Sequence, residues 1–136
     1  MLNQEFDYLG ELGSLQGVET LPADYGQPSL IFLKFVHAIL EIRAIAEDDT
    51  VELRIVNEIP ERGVDVSGES PWKDAIGLEV TDRWLLSNQQ GYTDAVQFRF
   101  TLTIEFEIII QLMVSSSFFT LFSVQEKKWV VGEKPL

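Results

Sequence analysis

The sequence predicts an α+β domain: one strongly curved antiparallel sheet of about seven strands, a meander or half-barrel, with a short N-terminal helix and one short inserted helix on its face or edge. Three observations lead there. Between Asp94 and Val124, β-branched and aromatic segments succeed one another with only short polar interruptions. Residues 38 to 56 read as a hairpin, two apolar runs around an acidic turn. Helical signals are confined to two short stretches, near residues 2 to 9 and 70 to 77. At 136 residues the chain is expected to form a single domain, 1–136, burying about two thirds of its unfolded surface in one core.

Taken in order, Leu2, Phe6 and Leu9 fall at i, i+4 and i+7, and Asn3 is placed to cap a short helix ending at Gly10. Residues 15 to 21 read as a strand interrupted by Gly17 and closed by Pro22, residues 23 to 28 have turn composition, and residues 30 to 35 form a second, strongly apolar strand. In the hairpin, a two-residue Asp48-Asp49 turn sets Ala46 opposite Val51, Ala44 opposite Leu53 and Ile42 opposite Ile55 on the buried side. On the other side Arg43 is diagonal to Glu52 and Arg54 to Glu41, but this register also sets Arg43 against Arg54, which costs something.

Residues 57 to 70 hold Pro60, Gly63 and Gly68 among four acidic residues without periodicity, a long loop of the kind that often carries function. Ser70 then caps a helix with Pro71 in first position, Trp72 and Ile76 on one face and Gly77 at the end. Residues 78 to 86 are extended and include Trp84; residues 88 to 94 form a polar loop. In the spine, Val96, Phe98 and Phe100 alternate with Gln97, Arg99 and Thr101, the period-two pattern of a half-buried strand. Residues 108 to 114 are apolar on both faces except at Gln111, and after a Ser115-Ser116-Ser117 turn residues 118 to 124 again carry large groups on both faces. Ile109, Met113, Phe118 and Phe122 would point outward from these last strands, too many large apolar groups for the wetted face of a monomer, so the expectation is a homo-oligomer, most simply a dimer. The end, 132 to 136, is expected to fray.

Composition removes several classes of function. With no cysteine, disulfides, thiolate metal sites and a cysteine nucleophile are excluded. Residues 108 to 125 carry no charge, yet Gln111, three serines and Thr120 interrupt them and β-branched residues dominate, so a strand pair is read there instead of a membrane span, which needs about 20 apolar residues. The first residues have neither a basic nor an apolar stretch, and a cytoplasmic location is expected. A net charge of −12, from 22 acidic against 10 basic residues spread along the chain, repels nucleic acid and favours solubility or a basic protein partner.

Motifs that suggest chemistry fail on inspection. Residues 63 to 70 have the glycine spacing of a phosphate-binding loop, but Glu69 stands where its lysine should be. His37, the sole histidine, has no accompanying nucleophile-elbow sequence and is read as structural. Glu47-Asp48-Asp49 lacks the alternation and glycine of a calcium loop, so no metal or cofactor is expected. Whether Glu58, Glu61, Asp65, Glu69 and Asp74 converge is not given by their spacing.

At Asp48-Asp49-Thr50, Pro71-Trp72, Ile76-Gly77 and from Trp84 through Asn88, Gln90-Gly91-Tyr92 and Asp94, the chain resembles small uncharacterised bacterial proteins classed only as a domain of unknown function. That resemblance implies a bacterial, single-domain, β-rich protein and supplies no activity. The reading preferred from sequence is a non-enzymatic module that binds a protein or itself, in the manner of bacterial immunity proteins. The alternative is a small-ligand or hydrolytic site formed by Trp72, Trp84, Gln90, Tyr92 and Asp94, with Trp72 and Tyr92 brought near one another by a bend in the strand around Thr81-Asp82.

Overall fold

Alternating apolar and polar residues carry most of this chain into strands, and the order in which those strands pair decides the architecture. The computed structural model describes residues 11–22, 28–45, 47–59, 63–102, 106–115 and 118–128. The first sheet contains β1 (Leu15–Pro22), β2 (Pro28–Phe35), β3 (Ile39–Ile45), β4 (Thr50–Val56) and the two-residue β5 (Val64–Asp65), in the order β4-β3-β2-β1-β5. The second contains β6 (Glu79–Ser87), β7 (Thr93–Leu102), β8 (Phe106–Ser115) and β9 (Phe118–Lys128), in sequence order. All neighbours are antiparallel.

The sheets bury their inner faces against each other. Val18, Ile31, Leu33, Leu40, Ile42 and Leu53 from the first meet Val96, Phe98, Phe100, Ile108, Ile110 and Leu112 from the second in one apolar cluster. β4 packs across β7 and β8, and β2 against β9. At one corner the sheets touch: Ser14 bridges Glu79, Leu15 N donates to the Leu78 carbonyl at 2.7 Å, and Gly77 N donates to the Leu15 carbonyl at 2.8 Å.

This corrects the α+β expectation of one seven-stranded sheet covered by helices. Consecutive strands do pair as neighbours, but the run breaks in the stretch between β4 and β6, where the chain leaves one sheet and starts a second. The apolar face of each sheet is therefore covered by another sheet. The inserted helix shrinks to a single 3-10 turn, Trp72–Asp74, the only helical element of the chain in which several consecutive residues are described; no side chain caps it. The Ala75 and Ile76 amides both donate to the Trp72 carbonyl, and Gly77, at φ +88°, ends the turn in a conformation glycine adopts without strain. The helix expected near residues 2 to 9, Ala46 and the Ser116-Ser117 part of the serine turn lie outside the described residues. No helix among those described is long and apolar enough to cross a membrane, and the uncharged stretch after residue 107 forms β8 and the start of β9.

The hairpin register is also corrected. Ala44 faces Val51, Ile42 faces Leu53 and Leu40 faces Ile55, two residues away from the expected pairing. A slip of two preserves the faces, so the apolar set stays inward. The connection is longer than a two-residue turn, with Asp49 at φ +52° and the Thr50 hydroxyl donating to Asp48 Oδ1 at 2.6 Å. In the observed register Arg43 faces Glu52 and Arg54 faces Glu41, and the expected Arg43–Arg54 clash disappears.

Candidate functional site

The expected ligand-binding residues fall at two places. Trp72 is 1% exposed and belongs to the core, just before β6 begins. Trp84, Gln90, Tyr92 and Asp94 gather at the other end of that strand, around the β6–β7 hairpin. Nine extended residues, about 30 Å of strand, separate the segments that carry Trp72 and Tyr92. β6 does carry an irregularity between Val80 and Asp82, at the position where a bend is expected. The hairpin is shaped by Asn88, whose Oδ1 accepts from the Gln90 amide at 2.9 Å and the Tyr92 amide at 3.2 Å, while Gly91 takes φ +86°.

Trp84 belongs to a broader surface. It sits opposite Gln97, which sits opposite Gln111, on the face of the second sheet turned away from the core. Gln97 Nε2 donates to Gln111 Oε1 at 2.6 Å, which ties the two side chains together across the strands. The next row of the same face runs Leu86, Ala95, Met113 and Thr120, and the row on the other side runs Asp82, Arg99 and Ile109. Trp84 is 42% exposed, Tyr92 at the hairpin end 46%, and Ile109 and Met113 are half-buried. The β8–β9 register sets Phe122 opposite Gln111 and Phe118 opposite Ser115, positions on the same face as Ile109 and Met113.

Charge is concentrated at one end of this surface. Arg99 Nη1 donates to Asp82 at 2.8 Å and its Nε to Glu107. The hydrogen bond that Arg99 donates to Asp82, joined by the one it donates to Glu107, holds the guanidinium above the ordinary arginine range. Sequence reading missed this triad and the glutamine pair, because each joins residues on neighbouring strands and becomes visible only once the register is known; the interruption at Gln111 in an otherwise apolar run was the available signal.

The outward face of the first sheet has a different content. Asp65, Glu19, Phe32, Glu41 and Arg54 form one row across it. Lys34 Nζ donates to Glu19 at 2.7 Å, and buried Glu41 accepts from Arg54 Nε at 2.9 Å and Arg43 Nη2 at 3.1 Å. The hydrogen bond to Glu41 raises the Arg54 pKa above its usual value. Of the loop carboxylates, Asp65 accepts from the Ser67 hydroxyl at 2.6 Å and the Ser67 amide at 2.9 Å, which lowers its pKa below the ordinary carboxylate value. Ser67 in turn accepts from the Val18 amide at 2.8 Å, pinning the loop to β1. Glu58, Glu69 and Asp74 are exposed, and Glu61 lies outside the described residues. Among the described residues no three acidic or histidine side chains converge to hold a metal ion. An open cleft of about 370 Å³ lies at the β2–β3 turn, lined by Phe35, His37, Ile39, Ile55 and Asn57. There the His37 amide donates to the Leu12 carbonyl at 2.9 Å.

No curated protein and no solved structure matches the chain. A family model does match residues 1–128 of it, and the chain therefore belongs to the family of unknown function designated DUF6334.

Proposed function

We propose that this protein is a non-enzymatic protein-binding module whose contact surface is the outward face of the second sheet, from Trp84 across Gln97 and Gln111 to Met113 and Ile109. The observation that carries this reading is Trp84, a large amphipathic side chain left 42% exposed in the middle of a sheet edge, on the face that two strands away also carries half-buried Ile109 and Met113. Tryptophan is among the residues most enriched at the centres of interfaces, where a ring of weaker contacts keeps water away. The glutamine pair adds to this: one bond fixes the two side chains against each other, and the Gln97 carbonyl oxygen and Gln111 amide nitrogen outside that bond are an acceptor and a donor for a partner to meet. The formal charge of −12 steers the module toward a protein partner of net positive charge, as an immunity-type role would require. The small-ligand alternative draws less support, since Trp72 is enclosed in the core while Tyr92 stands at the far end of β6.

Photo-cross-linking in the cell of origin tests this. A photoreactive phenylalanine analogue replacing Trp84 or Met113 is expected to give the same discrete protein adduct, and one replacing exposed Glu69 to give none. Equal adducts at all three positions, or none at Trp84 and Met113, would overturn the assignment.

A further inference from the structure

Among the described residues four strands end the two sheets, and three of them are blunted. β5 has two residues, β6 leaves register at Val80/Asp82 and again at Leu86/Ser87, and the ladder of β9 with β8 shifts between Ile109 and Ile110. Short or bulged edges are the usual protection against edge-to-edge pairing. β4 has neither device. Its seven residues run along β3 without irregularity, from Thr50 opposite Ile45 to Val56 opposite Ile39. It does carry two exposed charges, Glu52 and Arg54, but they are opposite in sign and stand one on each side of Leu53.

We propose that β4 pairs antiparallel with β4 of a second copy of this chain, about a two-fold axis through Leu53, joining two five-stranded sheets into one. In that register Glu52 faces Arg54 of the second copy and Arg54 faces its Glu52, Val51 faces Ile55, and Thr50 faces Val56. A two-fold contact requires a self-complementary patch, and this strand is one in both charge and shape. Opposite charges directly across an antiparallel ladder are stabilising, where like charges would repel. Glu52 forms no ion pair among the described residues, and Arg54 binds Glu41 through Nε and Nη2, leaving Nη1 outside those bonds. Beyond the strand the same axis sets exposed Asp48 against exposed Glu58, which confines the pairing to these seven residues.

A second observation is independent of charge. Leu85 lies opposite Val96 in the row Leu85, Val96, Leu112 and Leu121, on the core side of the second sheet. Val96 and Leu112 are fully buried, whereas Leu85 is 38% exposed. β4 packs across β7 and β8, so the cover that the first sheet gives this row thins before β6. A strand added outside β4 extends that cover toward Leu85. The contact uses a different sheet from the surface proposed above and does not depend on it.

Sedimentation velocity of the full chain at micromolar concentration is expected to give twice the 15.5 kDa chain mass. Glu52→Arg, which sets like charges across the axis, is expected to return the monomer mass with the circular dichroism of a folded sheet. Because the chain has no cysteine, Glu52→Cys mixed with Arg54→Cys and oxidised is expected to give a cross-linked dimer, while either variant alone gives far less. A monomer for the unmodified protein, a dimer indifferent to Glu52→Arg, or a mixture that cross-links no better than its components would overturn the proposal.

Discussion

The outward faces of the two sheets arise from the same antiparallel alternation and are completed in different ways. On the first, Phe32 is 1% exposed although it stands apart from the inner core, and the acids beside it in its row, Glu19 and Glu41, are each matched by a base. On the second, a charged cluster is described around Arg99, and the rows toward the β6–β7 hairpin present Trp84, Leu86, Met113 and two glutamines bonded to each other. A face whose polar groups answer one another around a buried aromatic contributes to stability. A face that leaves an aromatic in water is available for contact, and its residues add little to the fold.

The largest expected effect sets one aromatic against the other. Phe32→Ala is expected to lower the free energy of unfolding by about 3 kcal/mol, as for other fully buried phenylalanines. Trp84→Ala, already much exposed, is expected to cost less than about 1 kcal/mol. Urea unfolding of both variants measures the difference, and equal costs would mean that the two faces are not distinct.

Next comes the charge on each face. Glu41→Ala removes a buried carboxylate and leaves Arg54, and Arg43 diagonal to it, without their shared acceptor. Breaking a fully buried pair costs about 3–5 kcal/mol, and because both guanidinium groups are about half in solvent the expectation here is about 2 kcal/mol. Asp82→Ala on the second sheet leaves Arg99 with Glu107 and is expected to cost less than about 1 kcal/mol. Reversal of that order in chemical denaturation would place the structural ion pairs on the wrong sheet.

How much of this is legible in the sequence follows from what alternation can and cannot say. The period-two pattern locates the strands and their buried faces, because Val96, Phe98 and Phe100 leave no other reading. It is silent on what covers a buried face, and so helices are expected where a second sheet stands. In the hairpin the apolar pattern is satisfied equally by two registers two residues apart; the charges separate them, since only one sets Arg43 against Glu52 and Arg54 against Glu41. The unbroken apolar run Leu30 to Leu33 is the pattern of a strand covered on both faces, and the burial of Phe32 beside Ile31 and Leu33 agrees with it. Trp84 is recognisable as an anchor of a core or a pocket, and its exposure is not recognisable at all, because a tryptophan suits either face of a strand.

The smallest expected effect concerns the end of the closed row, where Asp65 is exposed and its carboxylate is held by the Ser67 hydroxyl first and the Ser67 amide second. Both bonds favour the charged form, so the folded-state pKa lies below the unfolded value near 3.8. Between those two values the unfolded chain binds more protons than the folded one. The contribution is therefore complete above the unfolded pKa and is lost as pH falls through the folded one. Ser67→Ala removes the larger cause together with the acceptor for the Val18 amide, a bond that does not titrate. The variant is expected to be less stable at neutral pH by about 1 kcal/mol, mostly from the Val18 bond. Its deficit should narrow, without vanishing, as the pH is lowered from about 5 toward about 3. Asp65→Asn supplies the control, since adding Ser67→Ala to it should leave a deficit independent of pH. A deficit for Ser67→Ala alone that is constant over that range would show that Asp65 is not held by Ser67, and that the loop is fixed to β1 through the Val18 bond and the strand pairing alone.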